Sequence, residues 1–399
     1  MTTPRGVTIL SDPLLNDFGP ARPSILVGEA LSRHRPVTIV ALRMSDTVKH
    51  RLSTLNIQAH DLGAPEPYGS QSVGYLLDWL ATAIRSARLP LKEGDDPIVL
   101  NFSNTLIAPA TAWFAQGTIT ETLRGIMPAL DIHHKLAAKL ALPLVAQMER
   151  HLLRSFSSRS TLVVANSRYD RELYSLRGQR VDGIIPAPID SRLFRPSTSS
   201  PSSDYVLAYV GKETDWAALY QVARAGVPLK VFGAKVDNAW ARLRSVPNVQ
   251  LLGRVDDAEL VRLYSNAAFT VFPFTIEPFG YVPIESMACG TPVLTYARQG
   301  PGETVLDGKT GRLVTSAEQL ATLAQELWRT GWPNPGIRQD CVQRSASYDL
   351  EEVGGRWERL LESPTSRWSW STPSAVETTA SRPDLAPKGP IASRNPGST

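Results

Sequence analysis

Short apolar runs rich in β-branched residues alternate along the chain with longer stretches whose apolar residues recur at helical spacing. In the first half of the chain, the runs predict strands at 6–10, 36–42, 56–62, 97–102, 110–114, 160–165 and 183–188. The stretches predict helices at 24–32, 73–87 and 136–156, and another that begins at the capping residues Asn166 and Ser167. Strands that alternate with helices are typical of a parallel sheet covered on both faces.

The alternation starts again after residues 197–203, a Ser- and Pro-rich stretch that is typical of a hinge linker. Strands are predicted from 205 onward and at 229–233, 249–253, 268–274 and 291–296, and helices at 257–265, 281–288 and 350–362. Two sheets joined by a hinge imply a cleft between domains, which is a common place for a ligand. Ser, Thr, Pro, Gly and Ala dominate residues 364–399, so we expect a disordered tail there.

Two acidic residues mark the segment between the strands at 268–274 and 291–296. Glu277 lies in the predicted loop and Glu285 in the short predicted helix. Because that helix spans only about two turns, both carboxylates can border one crevice at the carboxyl ends of the strands. The loop amides at the helix N-terminus suit an oxygen-rich ligand. Two solvated glutamates on an ordinary strand–helix unit are the alternative interpretation of this spacing.

An ordered set of residues surrounds the two glutamates. It consists of Pro273, EPFG at 277–280, Glu285, ACGTPV at 288–293, GPGE at 300–303 and GKTGRLV at 308–314. This set resembles the retaining glycosyltransferases of family 4, in which a Glu-x7-Glu motif lies in the second domain. Residues from about 162 to 196 resemble the segment that closes the first domain in that family.

The resemblance implies the GT-B fold, an α/β architecture with two Rossmann-like domains that face each other across a cleft. The corresponding division is an acceptor domain at 1–196, a linker at 197–204 and a nucleotide-sugar-binding domain at 205–348. A C-terminal helix at 349–363 would cross back to the first domain.

The same resemblance implies a donor site. Glu277 would contact the hydroxyls of the donor sugar, Lys212 would neutralise the diphosphate, and both are assigned catalytic roles. Glu285 would hydrogen-bond the ribose. The other donor-binding positions carried over from the family are Gly19, Gly211, Arg254, Val255, Phe279, Gly280 and Tyr281. Gly19 is interpreted equally well as a turn glycine, and Lys212 also fits a solvated loop lysine.

The chain departs from the family pattern at two places. Residues 213–219 offer no second lysine for the diphosphate, and Gln116 stands where many members carry a histidine. Gln116 can hydrogen-bond a sugar hydroxyl but cannot act as a base. We expect a retaining glycosyltransferase that moves a sugar from a nucleoside-diphosphate sugar to a hydroxyl of a glycan, a lipid or a small molecule. A nucleotide-sugar epimerase and a non-catalytic nucleotide-sugar-binding subunit stay open as alternatives.

Composition and charge limit the class of protein and the cellular compartment that fit this sequence. The 399 residues are 42% hydrophobic, carry a formal net charge of +4, and include two cysteines, Cys289 and Cys341. These values are typical of a globular protein from a reducing compartment, and no block of like charge indicates a nucleic-acid partner. The sequence has neither an Asp-x-Asp motif nor a His/Cys cluster with ligand spacing, so we expect metal-independent chemistry without a cofactor.

Membrane association is the last question that the sequence raises. No apolar stretch reaches the roughly 20 residues of a spanning helix, and no signal-peptide pattern opens the chain, so we expect a cytoplasmic protein. The predicted helix at 136–156 and the residue before it carry Lys135, Lys139, Arg150 and Arg154 among Leu, Ala and Val. Such a helix can dock peripherally on anionic lipid or can be half-buried in its own domain, and both interpretations stay open.

Overall fold

The structure is a computed structural model that describes residues 5–15, 21–64, 98–127, 130, 132–197, 200–233 and 237–362. The predicted helix at 73–87, the tail at 364–399 and Gly19 lie outside these residues. The described chain forms two parallel sheets, each with its own helices. This arrangement confirms the predicted two-domain α/β architecture.

The first domain contains the strands β1 (Val7–Ser11), β2 (Val37–Ala41), β3 (Gln58–Asp61), β4 (Ile98–Asn101), β5 (Ala110–Ala115), β6 (Ser160–Ala165) and β7 (Gly183–Ile184). They pair in parallel in the order β3-β2-β1-β4-β5-β6-β7. Its described helices are α1 (Arg22–Ser32), α2 (Asp46–Thr54), α3 (Ile119–Ile126), α4 (Ile132–Arg159) and α5 (Arg168–Leu176). Every residue of β4 is buried, as expected of a central strand covered on both faces.

The second domain contains the strands β8 (Val206–Val210), β9 (Leu229–Gly233), β10 (Val249–Gly253), β11 (Thr270–Phe272), β12 (Val293–Tyr296) and β13 (Gly311–Val314). They pair in parallel in the order β10-β9-β8-β11-β12-β13. The helices are α6 (Trp216–Arg224), α7 (Asp237–Arg244), α8 (Asp257–Asn266), α9 (Tyr281–Ala288), α10 (Gln299–Thr304), α11 (Ala317–Thr330) and α12 (Ile337–Ser345), followed by a 3₁₀ turn at Ala346–Tyr348 and α13 (Leu350–Glu362). Among the described residues, no helix combines the length and apolarity needed to cross a bilayer.

Side-chain caps explain where several helices begin. Ser45, Thr118 and Ser167 each accept a hydrogen bond from the backbone N–H three residues ahead, at the starts of α2, α3 and α5. Asp215 and Asp256 cap α6 and α8 in the same way. Each cap satisfies an N–H group that has no partner within its own helix, and a cap of this kind contributes about 1 kcal/mol.

The last helix returns to the first domain, as predicted. Gly354 of α13 lies so close to α1 that a Cβ built there would be 2.5 Å from the Cβ of Ala30. Trp357, which is fully buried, packs on Phe102 and Phe114 at the carboxyl ends of β4 and β5, with ring centroids 5.1 and 5.5 Å away. Helix α13 therefore connects the second domain to the hydrophobic core of the first domain.

The structure corrects some predicted boundaries. The strand predicted at 268–274 is shorter, because pairing in β11 ends at Phe272, before Pro273. The GPGE segment at 300–303, for which no helix was predicted, forms most of helix α10. Helix α4 begins at Ile132, earlier than predicted, and continues through Pro143 to Arg159.

Candidate functional site

The loop between β11 and α9 is held against the start of α10 by two glycines. Gly280 has a left-handed backbone (φ 94°), and a Cβ there would lie 3.2 Å from Cγ of Pro301. Gly300 is more restricted, because a Cβ at this position would collide with the backbone of Pro278 and Phe279. The N–H of Gly300 also donates to the carbonyl of Glu277 (3.1 Å). This close backbone packing explains why the EPFG and GPGE segments occur together.

Glu277 is half-buried and folds back onto its own loop. Its Oε1 accepts hydrogen bonds from the N–H groups of Phe279 (3.2 Å) and Gly280 (3.0 Å). Burial raises the pKa of the Glu277 carboxyl to about 7, these hydrogen bonds oppose the rise, and the nearby Glu213 adds to it. The sequence assigned the amides of Phe279 and Gly280 to a ligand, whereas here they donate to Glu277. A ligand would reach them only after the carboxylate turned away.

Glu285 is buried in α9 and binds a residue of the other domain. Its Oε1 forms a salt bridge with Nη1 of Arg22, at the start of α1, and its Oε2 accepts a hydrogen bond from the hydroxyl of Tyr264 (3.3 Å). Burial acts to lower the pKa of Arg22, but the Glu285 carboxylate outweighs it and keeps that pKa above its ordinary value. The Arg22 guanidinium also lies 5.3 Å from the ring centroid of Tyr281.

Residues beyond the carboxyl end of β5 face the Glu277 loop from the first domain. Gly117 has φ 70°, and a Cβ there would lie 2.9 Å from Cγ of Pro278. The predicted contact residue Gln116 is half-buried beside it and donates from Nε2 to the carbonyl of Phe102 (3.1 Å). The loop at 116–117 and the loop at 277–280 therefore pack against each other and together form one wall at the boundary between the two domains.

Asp170 lies behind this wall, and the sequence analysis did not identify it. Its Oδ2 accepts the N–H of Gly117 (2.8 Å), and its Oδ1 has no hydrogen-bond partner among the described residues. Burial raises the pKa of Asp170 to about 8, the Gly117 hydrogen bond opposes the rise, and the charges of Glu303 and Glu277 add to it. Asp170 therefore carries its proton at neutral pH more readily than an exposed aspartate.

Glu303 closes the cleft from the second domain. Its two carboxylate oxygens accept hydrogen bonds from the N–H groups of Arg168 (2.8 Å) and Tyr169 (2.6 Å), in the first turn of α5. A carboxylate at a helix N-terminus satisfies unpaired N–H groups and interacts favourably with the helix dipole. The GPGE glutamate thus acts as a capping residue between domains, a role that its sequence position did not indicate.

The loop after β8 carries the predicted diphosphate contacts. The N–H of Gly211 donates to Oγ1 of Thr214 (2.8 Å), and the carbonyl of Glu213 accepts the N–H of Thr275 (2.8 Å), which places this loop beside the Glu277 loop. Lys212 is exposed at the same edge. Burial raises the pKa of Glu213, although the charge of Lys212 lowers it. An acidic side chain therefore occupies this part of the cleft, as well as the predicted lysine.

Arg254 and Val255 directly follow the carboxyl end of β10. Tyr209 of β8 stacks on Phe274, with ring centroids 5.6 Å apart. Burial raises the pKa of Tyr209 to about 12, with contributions from Glu213, Glu277 and Glu285, while the charge of Arg254 lowers it. Val255 packs at the edge of the large hydrophobic core that joins the two domains.

The buried acids predict an unusual dependence of stability on pH. Because the pKa values of Glu277 and Asp170 are about 7 and about 8, above the usual values near 4, their contribution to stability is present below pH 4 and is lost as pH rises through 7 to 8. We expect the free energy of unfolding to fall between pH 6 and pH 8.5 by about 1 kcal/mol or more. Thermal unfolding at a series of pH values measures this.

Asp170→Asn supplies the matched comparison. The amide oxygen of the new side chain can still accept the Gly117 N–H, so the variant is expected to fold and to lose part of the pH dependence. Asp204→Asn, at an exposed position in the linker, should leave that dependence unchanged. Equal pH dependence in the wild type and Asp170→Asn would contradict the assignment to Asp170.

Comparisons with known proteins show which families and folds the chain resembles. Residues 229–339, which include both glutamates, match the family described as "Glycosyl transferases group 1". A D-inositol 3-phosphate glycosyltransferase of Segniliparus rotundus is 29% identical over 187 residues, which cover 39% of this chain and 41% of the relative. A glycogen synthase of Mycobacterium tuberculosis is 34% identical over 102 residues, 24% of this chain and 25% of the relative. The chain thus spans no more than about two fifths of the length of these relatives.

Solved structures match over most of the chain. HepE of Anabaena, in complex with UDP and glucose, has a TM-score of 0.65 at 17% identity, covering 90% of this chain and 100% of that protein. Sucrose-phosphate synthase of Thermosynechococcus elongatus has a TM-score of 0.67 at 18% identity, covering 90% and 99%. At these identities the likeness establishes the fold, which is GT-B.

Proposed function

We propose that the chain is a retaining glycosyltransferase that transfers a sugar from a nucleoside-diphosphate sugar to an acceptor hydroxyl. The observation that carries the proposal is the position of Glu277, which lies half-buried on a loop at the carboxyl end of β11, next to Pro278, the residue that meets Gly117 of the first domain. The match of residues 229–339 to a glycosyltransferase family supports it. HepE, which has the same fold, was solved with UDP and glucose, and this favours a nucleotide-sugar donor.

The proposed reaction breaks the bond between the anomeric carbon and the diphosphate. Positive charge develops on the sugar ring and negative charge on the departing diphosphate, so the protein must stabilise both. Lys212 and the loop amides would neutralise the diphosphate, and Glu277 would accept hydrogen bonds from the sugar hydroxyls. The acceptor oxygen would attack on the face from which the diphosphate departs and pass its proton to the leaving phosphate. On this scheme neither a histidine nor a metal ion is required.

Specific observations favour a second candidate, a nucleotide-sugar-binding protein without transfer activity. Glu213 lies half-buried beside Lys212, in a stretch where a second cation would be expected, and Glu285 is already paired with Arg22. Both features weaken the site for a diphosphate and a ribose. Release of free sugar, or its transfer to an acceptor, by the purified protein would exclude this candidate. Interconversion of the donor sugar without its release would favour an epimerase.

Ligand binding is expected to depend on Lys212. A ligand that binds only the native state at about 100 times its Kd stabilises it by about 2.7 kcal/mol. We therefore expect UDP, GDP or ADP, or one of their sugar conjugates, to raise the melting temperature of the wild type, and Lys212→Ala to abolish most of that rise. Thermal-shift measurements across these nucleotides test this.

Lys309→Ala is the matched control, because Lys309 is also exposed and lies away from the cleft. It should respond to the nucleotide like the wild type. If every nucleotide left the melting temperature of the wild type unchanged at millimolar concentration, the proposed donor class would be wrong.

A further inference from the structure

The first half of α4 presents an apolar stripe to solvent. Ile132, Leu136, Leu140 and Leu144 are 73%, 58%, 75% and 64% exposed. Residues spaced by four lie along one side of a helix, so the four side chains form one continuous strip, here called the leucine stripe. An exposed apolar strip of this kind marks an interaction site more often than scattered single residues do.

The second half of the same helix is packed in the usual way. Leu152, Leu153 and Phe156 are buried in a cluster with Trp113 of β5 and Val163 of β6. Of the two interpretations left open by the sequence, the half-buried domain helix describes this second half. The residues of α4 before Val145 do not fit the interpretation of a half-buried domain helix, because none of them is buried in the core of the described residues. One helix thus has an anchored half and a projecting half.

Within residues 132–148 the charged side chains beside the leucine stripe are of one sign. Residues 132–148 include Lys135 and Lys139 and contain no Asp or Glu. The first acidic residue after them is Glu149, which is buried and bonded to the N–H of Thr120 (3.1 Å). Further along, Arg150 is exposed and extends the positive character. The projecting half of α4 therefore combines exposed apolar side chains with a positive flank.

We propose that the leucine stripe and its flanking lysines bind an anionic lipid surface, with the projecting half of α4 lying in the plane of the membrane interface. A helix with apolar residues on one face and lysines beside them binds anionic bilayers by burial of the apolar face and by charge attraction. A second copy of the chain fits this surface less well, because a helix pair formed through the stripe would bring the lysines of both copies together. Charge complementarity thus favours lipid headgroups.

The start of the stripe follows α3, which contacts the second domain. Helix α3 connects β5 to α4, and residues at both ends of α3 contact the Glu277 loop of the second domain. Gly117, just before α3, lies against Pro278, and Gly125, near its end, lies against Ile276. A membrane bound by α4 would therefore lie near the rim of the cleft. This step rests on the proposed function, and it points to an acceptor hydroxyl carried by a lipid.

Vesicle binding tests the proposal on the full-length protein. Co-sedimentation is measured with vesicles of equal parts phosphatidylglycerol and phosphatidylcholine, and with vesicles of phosphatidylcholine alone. We expect binding to the anionic vesicles that weakens as salt rises, and little binding to the neutral ones. Leu140→Gln with Leu144→Gln should weaken binding about tenfold or more, and each of Lys135→Glu and Lys139→Glu about fivefold or more.

Matched controls separate this effect from general damage. Leu176→Gln removes another strongly exposed leucine of the first domain, and Lys309→Glu reverses an exposed lysine of the second. Both should bind vesicles like the wild type. All of these variants should keep the melting temperature of the wild type, since each replaces a side chain at the surface.

Three results would overturn the proposal. One is the absence of binding to anionic vesicles by the wild type. Another is equal binding by the wild type and the double leucine variant. The third is a dimer in sedimentation equilibrium that the leucine substitutions dissociate, which would assign the stripe to a second copy. Because none of these measurements requires turnover, the lipid proposal can fail while the proposed transfer reaction stands, and the reverse also holds.

Discussion

Replacement of Glu277 by Gln is expected to lower the rate of sugar transfer by about a hundredfold or more while the protein stays folded. The substitution removes the negative charge but keeps an oxygen that can accept the N–H groups of Phe279 and Gly280, so the loop should retain its conformation. What is lost, on the proposed function, is the carboxylate that would accept hydrogen bonds from the hydroxyls of the donor sugar. Measurement of kcat and KM with the donor identified by thermal shift, beside the melting temperature, gives the result.

The raised pKa of Glu277 adds a second readout for this prediction. Because burial raises it to about 7, the fraction of ionised Glu277 increases as pH rises through neutrality. If the carboxylate is the active form, the transfer rate of the wild type should rise through that range, and Glu277→Gln should lose this step. Glu326→Gln, at an exposed position of α11, should leave both rate and profile unchanged. Wild-type turnover in Glu277→Gln would refute the catalytic assignment.

The sequence predicted local features of the site well. The strand before Pro273, the loop at 277–280 and the helix at 281–288 each follow from residue patterns within a few positions, and α9 forms at Tyr281–Ala288 as expected. Gly280 has the left-handed backbone that a glycine between loop and helix permits. These features depend on neighbouring residues, so one sequence is enough to indicate them.

The contacts between domains could not be predicted in this way. Arg22 and Glu285 are 263 positions apart, and Arg168 and Glu303 are 135 apart. The residues at the start of a helix do not indicate which residue of another domain will bind there. The burial of Asp170 likewise depends on the way the two domains pack against each other. The sequence therefore identified the residues of the second domain and missed most of those that oppose them.

The pair of Arg22 and Glu285 predicts the largest effect on stability. Removal of one partner from a buried ion pair leaves the other charge unpaired away from water, at a cost of about 3–5 kcal/mol. We therefore expect Glu285→Ala to lower the free energy of unfolding by an amount in that range, because Arg22 would lose the buried carboxylate that forms its salt bridge across the domain boundary. Chemical denaturation, followed by fluorescence, measures the change.

A double substitution tests whether the loss of stability in Glu285→Ala comes from breaking the ion pair. Arg22→Met with Glu285→Leu replaces both charges by apolar side chains of similar size, and such exchanges are often close to neutral, so most of the lost stability should return. The exposed pair of Glu259 and Arg262 is the control. Loss of that pair should cost less than about 1 kcal/mol.

The same variants decide whether Glu285 serves the fold or the ligand. If its main role is to pair with Arg22, the double variant should recover stability and still bind the nucleotide with a Kd close to that of the wild type. If Glu285 instead holds a ribose, as the family resemblance implies, the double variant should recover stability but bind the nucleotide at least about tenfold more weakly. Glu285→Ala with wild-type stability would contradict the first role, because a salt bridge that can be removed at no cost does not stabilise the fold.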